Sequence, residues 1–359
     1  MLAAMDVVGN PSSVHAEGRA TKAIVERARA QVAKLVGCEP SNLIFTSSAT
    51  EAAALAIAKY STVSASGAEH DAVRAWIQDG SGGAIDLTGL FDLDSNGVLT
   101  GTVQGGVSLS DGVWDDVVAF QAANSETGVL QPTLLLAQQI WALKRQSLVL
   151  VDAVQALGKI EFSMPTSGAD FILASAHKLG GPKGVGALVV KPGIEVTARI
   201  RGGGQEMGRR AGTENVIGIA GFGAAAEAAM RDLKAGIWDE VEQLRNILEN
   251  TIAAAADQTI FVGKGAQRLP NTSCFATPGW KSETQVMAMD LAGVAISAGS
   301  ACSSGKVRTS RVLRAMGYDE ATARSAIRVS LGPTTTEDEI GRFIDAWTAA
   351  QRKRRARAA

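Results

Sequence analysis

Residues 148–190 read LVLVDAVQALGKIEFSMPTSGADFILASAHKLGGPKGVGALVV, and this stretch decides the fold class. It contains three short apolar runs of the length of buried strands: Leu148–Val151, Phe171–Ala174 and Ala187–Val190. The first run ends in Asp152, and the second is followed closely by Lys178. Strands that alternate with other segments in this way predict an α/β domain with a mostly parallel sheet.

The sequence on either side continues the alternation. Residues 13–36 are predicted to form a helix, because apolar side chains recur at spacings of three and four. Residues 43–46 then predict a strand, a Ser/Thr cluster follows at 47–50, and an Ala-rich helix is predicted over 52–60. Residues 61–115 are rich in Gly, Ser and Asp and show no clear pattern.

The C-terminal part predicts a second, smaller domain. Residues 214–256 are predicted to be helical, strands are predicted at 293–297 and 327–331, and a final helix begins at about Glu337. The basic end of that helix, RKRRARA, suits the negative end of the helix dipole.

Composition excludes several classes of protein. The 359 residues are 46% hydrophobic and 20% charged with a formal net charge of −1, which is ordinary globular usage. A general electrostatic grip on nucleic acid or membrane is therefore not expected. No apolar run is long enough to span a bilayer, and the first residues lack the pattern of a signal peptide.

The cysteine and histidine content predicts a reducing compartment, the cytoplasm, and no metal site. There are three cysteines, Cys38, Cys274 and Cys302. A disulfide framework is not expected, because the cysteines are few and their number is odd. The three histidines are scattered, and no CxxC or HxxxH spacing is present.

Three polar groups at predicted strand ends have complementary chemistry. Lys178 could form a Schiff base with an aldehyde, and Asp152 could hold a proton on a pyridine nitrogen. The cluster Ser47–Thr50 lies where a helix N-terminus would favour a phosphate. Together they indicate pyridoxal 5′-phosphate. Taken singly, each has a plainer interpretation: a turn aspartate, a surface lysine and an ordinary helix cap.

The local sequences around these residues resemble one family. SAHKLGGPKGVGAL around Lys178 resembles the Schiff-base lysine segment of class V pyridoxal-phosphate enzymes. GGGQEMGRRAGTENVIG at 202–218 and SAGSACSSGKVRTSRVLRAMG at 297–317 resemble segments of the cysteine desulfurases of the NifS/IscS-like branch. GNPSSVHAEGR at 9–19 and SSATEAAALAI at 47–57 are also similar to that family, in the same order.

The resemblance implies a fold, a division into domains and a set of site residues. The fold is fold-type I: a large domain at 13–234 with a mostly parallel, seven-stranded type of sheet, and a small α+β domain formed by 1–12 and 235–359. Lys178, His70 and Cys302 are the implied catalytic residues, and Arg328 with Ser125 the substrate-binding ones. The implied cofactor-binding residues are Lys178, Ala49, Thr50, His70, Asp152, Gln155, Ser175, His177, Thr213, Asn124 and Ser125.

The implied reaction converts L-cysteine to L-alanine, with the sulfur taken as a persulfide on Cys302. The implied partners are a second copy of the chain and a sulfur acceptor or iron–sulfur scaffold protein. In the implied dimer, Thr213 of one subunit reaches the cofactor phosphate of the other and so completes its site. Small residues after Cys302, in GSACSSG, are consistent with a loop that moves. In the absence of that motif, a lone cysteine beside Gly and Ser would be interpreted as a small buried residue.

The sequence departs from the family pattern in two places. It contains no AATTP-like segment ahead of GNPSS, and Ser125 stands where the family has Asn in Asn-Asn-Glu. Two alternatives therefore stay open. One is another class V enzyme, a selenocysteine lyase or an aminotransferase, and the second is a non-catalytic paralogue. An aminotransferase would not need Cys302.

Overall fold

The computed structural model describes residues 1–78, 92–100, 116–143, 146–299 and 309–358. The chain divides into two compact units. The first comprises Met1–Asp92, Gly101–Ala122 and Pro132–Ala235, and the second comprises Leu93–Thr100, Ala123–Gln131 and Gly236–Ala359. Residues 1–12 fall in the first unit, whereas the sequence analysis expects them in the small domain; the predicted domain boundaries stay a prediction.

The described residues contain twelve strands and twelve α-helices. The strands are β1 Leu43–Thr46, β2 Val63–Ala65, β3 Asp92–Leu93, β4 Leu99–Thr100, β5 Val117–Gln121, β6 Leu148–Asp152, β7 Phe171–Ser175, β8 Gly186–Val190, β9 Ile260–Phe261, β10 Thr272–Ala276, β11 Ser297–Ala298 and β12 Ala326–Ser330. The helices are α1 Leu2–Met5, α2 Ala16–Val36, α3 Ala49–Ile57, α4 Asp71–Gln78, α5 Thr133–Leu143, α6 Met164–Ser167, α7 Val216–Lys234, α8 Ile237–Ala255, α9 Ser282–Leu291, α10 Arg311–Ala315, α11 Glu320–Ser325 and α12 Glu337–Ala358.

The first unit is built on a six-stranded sheet in the order β1-β8-β7-β6-β5-β2. Strands β2, β5, β6 and β7 pair in parallel, and β8 runs antiparallel to both of its neighbours. The α/β, mostly parallel sheet predicted from the sequence is confirmed. The expected type of sheet has seven strands, one more than the described residues provide.

The central strands of this sheet are buried because they consist of nearly uninterrupted apolar residues. Every residue of β5, β7 and β8 is buried, as expected for strands that have both faces of the sheet covered. Helix α3 packs on the sheet through its alanines and Leu55, in a core that also contains Phe171 and Leu188. The polar residues that end β6 and β7 are therefore held at the edge of a rigid, fully packed layer.

The second unit has its own sheet and its own core. Its four strands lie in the order β11-β12-β10-β9, and β10 pairs antiparallel with β12. Aromatic side chains dominate the core, where Trp347 of α12 contacts both Phe275 and Trp280. The strand predicted at 293–297 occupies only Ser297–Ala298. Gly293 belongs to the turn at the end of α9, and residues 294–296 connect that turn to β11.

None of the described helices is long and apolar enough to cross a membrane.

Candidate active site

The parallel strands of the first unit end together at one edge of the sheet. The last residue of β5, Gln121, is in register with Asp152, the last residue of β6. Asp152 is buried, and one of its carboxylate oxygens accepts a hydrogen bond of 2.9 Å from the Val154 N–H. Burial raises the pKa of Asp152, and the charges of His70 and Lys178 act against that rise. The structure thus brings together three of the predicted site residues.

Lys178 is presented by a tight turn that follows β7. A short 3₁₀ helix, Ala176–Lys178, begins directly at the strand end, and the Ala176 N–H donates to the Val185 carbonyl. Ser175 Oγ and His177 Nδ1 are hydrogen-bonded at 2.9 Å. Burial lowers the pKa of His177, and so does the charge of Lys178. The imidazole is therefore favoured in its neutral form, in which one ring nitrogen can accept a hydrogen bond.

The start of α3 forms an anion-binding geometry. Ser48 caps the helix by accepting from the Glu51 N–H, and Glu51 in turn accepts from the Ser47 N–H at 2.7 Å. These two bonds fix the first turn, in which the N–H groups of Ala49 and Thr50 have no acceptor within the helix. Ala49 and Thr50 are the first two residues of that turn.

The lack of a side chain at Gly186 lets β8 approach the start of α3. A Cβ at this position would lie 2.5 Å from the Ser48 carbonyl carbon and 2.9 Å from the Ala49 nitrogen. Any other residue would therefore push the first turn of α3 away from the sheet. The close approach of β8 to the start of α3 thus requires glycine at position 186.

Thr213 lies in a loop that is tied to the same helix start. The neighbouring Arg210 donates to Glu51 Oε1 at 2.8 Å. Thr213 and Ser47 line one small cavity of about 110 Å³. The role of Thr213 toward the phosphate of a second subunit stays a prediction.

His70 lies at the start of α4, next to a buried carboxyl group. Its Nδ1 accepts from the Ala72 N–H at 3.1 Å. Glu69 is only 3% exposed, and its Oε2 has no hydrogen-bond partner among the described residues. Burial and the charge of Asp152 raise the pKa of Glu69 to about 8. The sequence analysis did not identify Glu69, although its position beside His70 was a possible signal.

A second residue that the sequence analysis missed is Lys159. Its Nζ donates to the carbonyl of Gln155 at 2.9 Å and to the carbonyl of Lys178 at 3.0 Å. The predicted residues Gln155 and Lys178 are therefore linked through one buried ammonium group. The only sequence signal is its place in the segment VQALGK, which also carries Gln155.

Arg328 and Ser125 come together within the second unit. Arg328, on β12, donates to the Ser125 carbonyl at 2.6 Å and to Ser297 Oγ at 3.2 Å. Asn124 is buried, and its Oδ1 accepts from the N–H groups of Glu126 and Thr127. The side-chain amide oxygen of Asn124 therefore holds the turn in which the Ser125 carbonyl faces the arginine.

The predicted nucleophile, Cys302, lies outside the described residues. The two cysteines that the structure describes, Cys38 and Cys274, are free thiols. Burial, with a smaller effect from Glu39, raises the pKa of Cys38 to about 11. Burial also raises the pKa of Cys274 to about 12. Neither is activated as a thiolate, which is the nucleophilic form.

The residues of the first unit fit pyridoxal phosphate. A lysine can hold the aldehyde carbon, a buried carboxylate can face the ring nitrogen, and a capped helix start with hydroxyl groups can hold the phosphate. Within the described part of the chain, no group of three His, Cys, Asp or Glu side chains could hold a metal ion.

Comparisons with known proteins point to the same chemistry. The family model described as Aminotransferase class-V matches residues 3–343. A curated relative named cysteine desulfurase, from Trichormus azollae, is 37% identical over 354 residues, which cover 95% of this chain and 85% of the relative.

Two solved structures agree with this assignment. The NifS-like protein from Rickettsia africae ESF-5 superposes with a TM-score of 0.85 at 29% identity, over 98% of this chain and 94% of that one. SspA in complex with cysteine has a TM-score of 0.73 at 25% identity, over 93% and 95% of the two chains. The resemblance stated from the sequence and the predicted fold are confirmed. The chain belongs to the class V aminotransferase family, whose enzymes depend on pyridoxal 5′-phosphate.

Proposed function

We propose that the chain is a cysteine desulfurase that converts L-cysteine to L-alanine and takes the sulfur as a persulfide on Cys302. The observation that carries this proposal is the buried strand edge, where Asp152 lies within electrostatic reach of both Lys178 and His70. The relative and the solved structures named above support the choice of cysteine as substrate. The family motif around Cys302, GSACSSG, supports the choice of acceptor thiol.

Each proposed site residue has a different role in the reaction. Asp152 holds a proton at the ring nitrogen of the cofactor, and Lys178 holds the cofactor and then moves the substrate α-proton. Arg328 binds the substrate carboxylate, since a guanidinium matches a carboxylate in charge and geometry. When bound, pyridoxal phosphate supplies an electron sink for the substrate's α-carbon.

The sulfur step belongs to Cys302. Its thiolate attacks the substrate sulfur, so that an S–S bond forms while the carbon–sulfur bond of the substrate breaks. The electron pair of that bond goes to the substrate β-carbon, which takes a proton to give alanine. The enzyme is left with a persulfide.

The experiment that tests this proposal is Cys302→Ser. A hydroxyl is far less acidic than a thiol and a poorer sulfur nucleophile, so alanine formation from cysteine should fall to background. The volume changes little, so the fold and the bound yellow cofactor should be retained. Cys38→Ser and Cys274→Ser are the matched controls and should leave turnover per folded molecule largely intact.

Other outcomes separate the alternatives. Alanine production at the wild-type rate by Cys302→Ser would point to a class V reaction that does not need this thiol, such as that of a selenocysteine lyase, whereas a keto acid formed in place of alanine would point to an aminotransferase. A wild-type protein that binds no cofactor would point to a non-catalytic paralogue. Mass mapping after a single turnover should place the additional sulfur on Cys302.

The partners proposed are a second copy of the chain and a protein that accepts the sulfur. The loop that contains Thr213 resembles the family segment that completes the site of a neighbouring subunit. Light scattering should therefore find a dimer, and a cofactor-saturated monomer would contradict this. The acceptor proposed is a scaffold for iron–sulfur clusters or another thio-cofactor protein. The free thiols of Cys38 and Cys274 support the cytoplasm as location.

A further inference from the structure

A single buried ammonium group joins the two turns that carry the predicted cofactor residues. Lys159 is 8% exposed, and its Nζ donates to the carbonyls of Gln155 and Lys178, at 2.9 and 3.0 Å. Gln155 lies four residues earlier in the same turn, whereas Lys178 follows the next strand. The ammonium therefore cross-links the turn after β6 to the turn after β7.

The backbone around Lys159 is packed so that its side chain has little freedom. Gly158 has a φ of +75°, and a Cβ there would lie 2.8 Å from Ala229 Cβ and 3.4 Å from Leu179 Cβ. The preceding Leu157 is 1% exposed. The positive φ and the approach to Ala229 therefore require glycine at this position, and the turn lies beside Leu179, the residue that follows Lys178.

The charges of the two lysines oppose each other. Burial and the charge of Lys178 lower the pKa of Lys159 to about 8. The carboxylate of Asp152 interacts with Lys178 in the opposite sense, and His177 is affected by the charges of Lys178 and Lys183.

We propose that Lys159 is a positioning residue for Lys178. Its ammonium fixes the carbonyls of Lys178 and Gln155 at one separation, so that these two predicted cofactor residues keep one placement relative to each other. The proposal rests on the proposed function, because it assumes that Lys178 is the residue that holds the cofactor.

The test uses the full-length, cofactor-free protein and reductive methylation followed by mass spectrometry at each lysine. In Lys159→Met, Lys178 should be methylated severalfold faster than in the wild type at a fixed pH, because its turn is no longer held to the turn after β6. After reconstitution, this variant should lose pyridoxal phosphate about tenfold faster on dialysis, which corresponds to about 1.4 kcal/mol. Lys183→Met removes an exposed lysine near the same turn and should leave both values as in the wild type.

A folded Lys159→Met with the wild-type methylation rate at Lys178 and wild-type cofactor retention would overturn the proposal. If that variant does not fold, methylation of the wild-type protein tests the proposal instead. Lys159 should then be methylated at least tenfold more slowly than the exposed Lys183, because both of its carbonyl bonds must open first; equal methylation of the two lysines would overturn the proposal. Failure of the proposed function would be seen separately, as a chromophore retained in Lys178→Ala.

Discussion

Two groups of buried charges in the first unit contrast in how they are paired. In the first group, Arg29 donates to both carboxylate oxygens of Glu206 at 2.8 Å and to the Leu43 carbonyl at 3.0 Å. Glu206 also accepts from the Phe45 N–H at 2.9 Å. Both carboxylate oxygens are therefore hydrogen-bonded, in the bidentate arrangement that suits a buried Arg–carboxylate pair.

The second group lies at the ends of β5, β6 and β7 and is paired far less completely. Glu69 has an oxygen with no hydrogen-bond partner among the described residues, and Lys159 is held by two carbonyl groups. The pKa values of Glu69 and Asp152 are raised and that of Lys159 is lowered, in each case mainly by burial. All three shifts favour the neutral forms.

This difference separates buried charges that stabilise the fold from buried charges that are suited to binding or proton transfer. The Arg29–Glu206 pair fixes a loop in which Glu206 and Met207 have left-handed φ values of +48° and +57°. Such a backbone costs on the order of 1–2 kcal/mol for each residue, which the hydrogen bonds offset. Incompletely paired groups with shifted pKa values are, in contrast, typical of sites that bind or transfer protons.

The largest effect is expected at Lys178. Lys178→Ala should abolish covalent retention of the cofactor and reduce turnover to background, because no other predicted site residue offers an amine at that turn. Absorbance of the bound cofactor and borohydride reduction measure this. Lys183→Ala, an exposed lysine of the same loop, is the control. A yellow, borohydride-reducible adduct that survives in Lys178→Ala would show that another residue holds the cofactor.

Removal of one charge from the well-paired group should destabilise the fold. Arg29→Met leaves the buried Glu206 carboxylate with the Phe45 N–H as donor and with the nearby charges of Arg209 and Arg210, so the free energy of unfolding should fall by about 3 kcal/mol. Urea unfolding measures the loss. The control is Arg324→Met, which breaks an ion pair with Glu320 whose side chains are 60% and 66% exposed. That change should cost at most about 1 kcal/mol. Equal losses in both variants would remove the contrast between the two groups.

The incompletely paired group should instead show itself through pH. The pKa of Glu69 is about 8 in the folded chain and 4.5 for an ordinary glutamate. Between these values the folded state binds more protons than the unfolded state, so Glu69 makes stability fall as the pH rises. In the cofactor-free protein, Glu69→Gln should therefore gain stability relative to wild type between pH 5 and pH 9, by on the order of 3 kcal/mol.

Urea unfolding at pH 5, 7 and 9 measures this gain, with Glu320→Gln as the exposed control. A difference between Glu69→Gln and wild type that is the same at all three pH values would show that Glu69 does not titrate in this range.

Several elements could be predicted from local sequence alone. The strand predicted over 43–46 is β1, and the apolar run that ends in Asp152 is β6. Both consist almost entirely of apolar residues bounded by polar ones, which is typical of strands covered on both faces. Strand β10, with the sequence TSCFA, was missed because two of its five residues are polar and short runs carry little periodicity.

The sequence by itself determined the family, the cofactor and the placement of Asp152 and Lys178 at strand ends, because motif order and apolar runs are local properties. Only the tertiary structure decided which charged residues are buried. Glu206 lies 177 residues from Arg29, and Lys159 lies 19 residues from Lys178. In the sequence, Glu206, Glu69 and Lys159 are charged residues in ordinary polar segments. Their burial and their pairing depend on strands and helices that are distant along the chain, and so do the pKa shifts of Glu69 and Lys159.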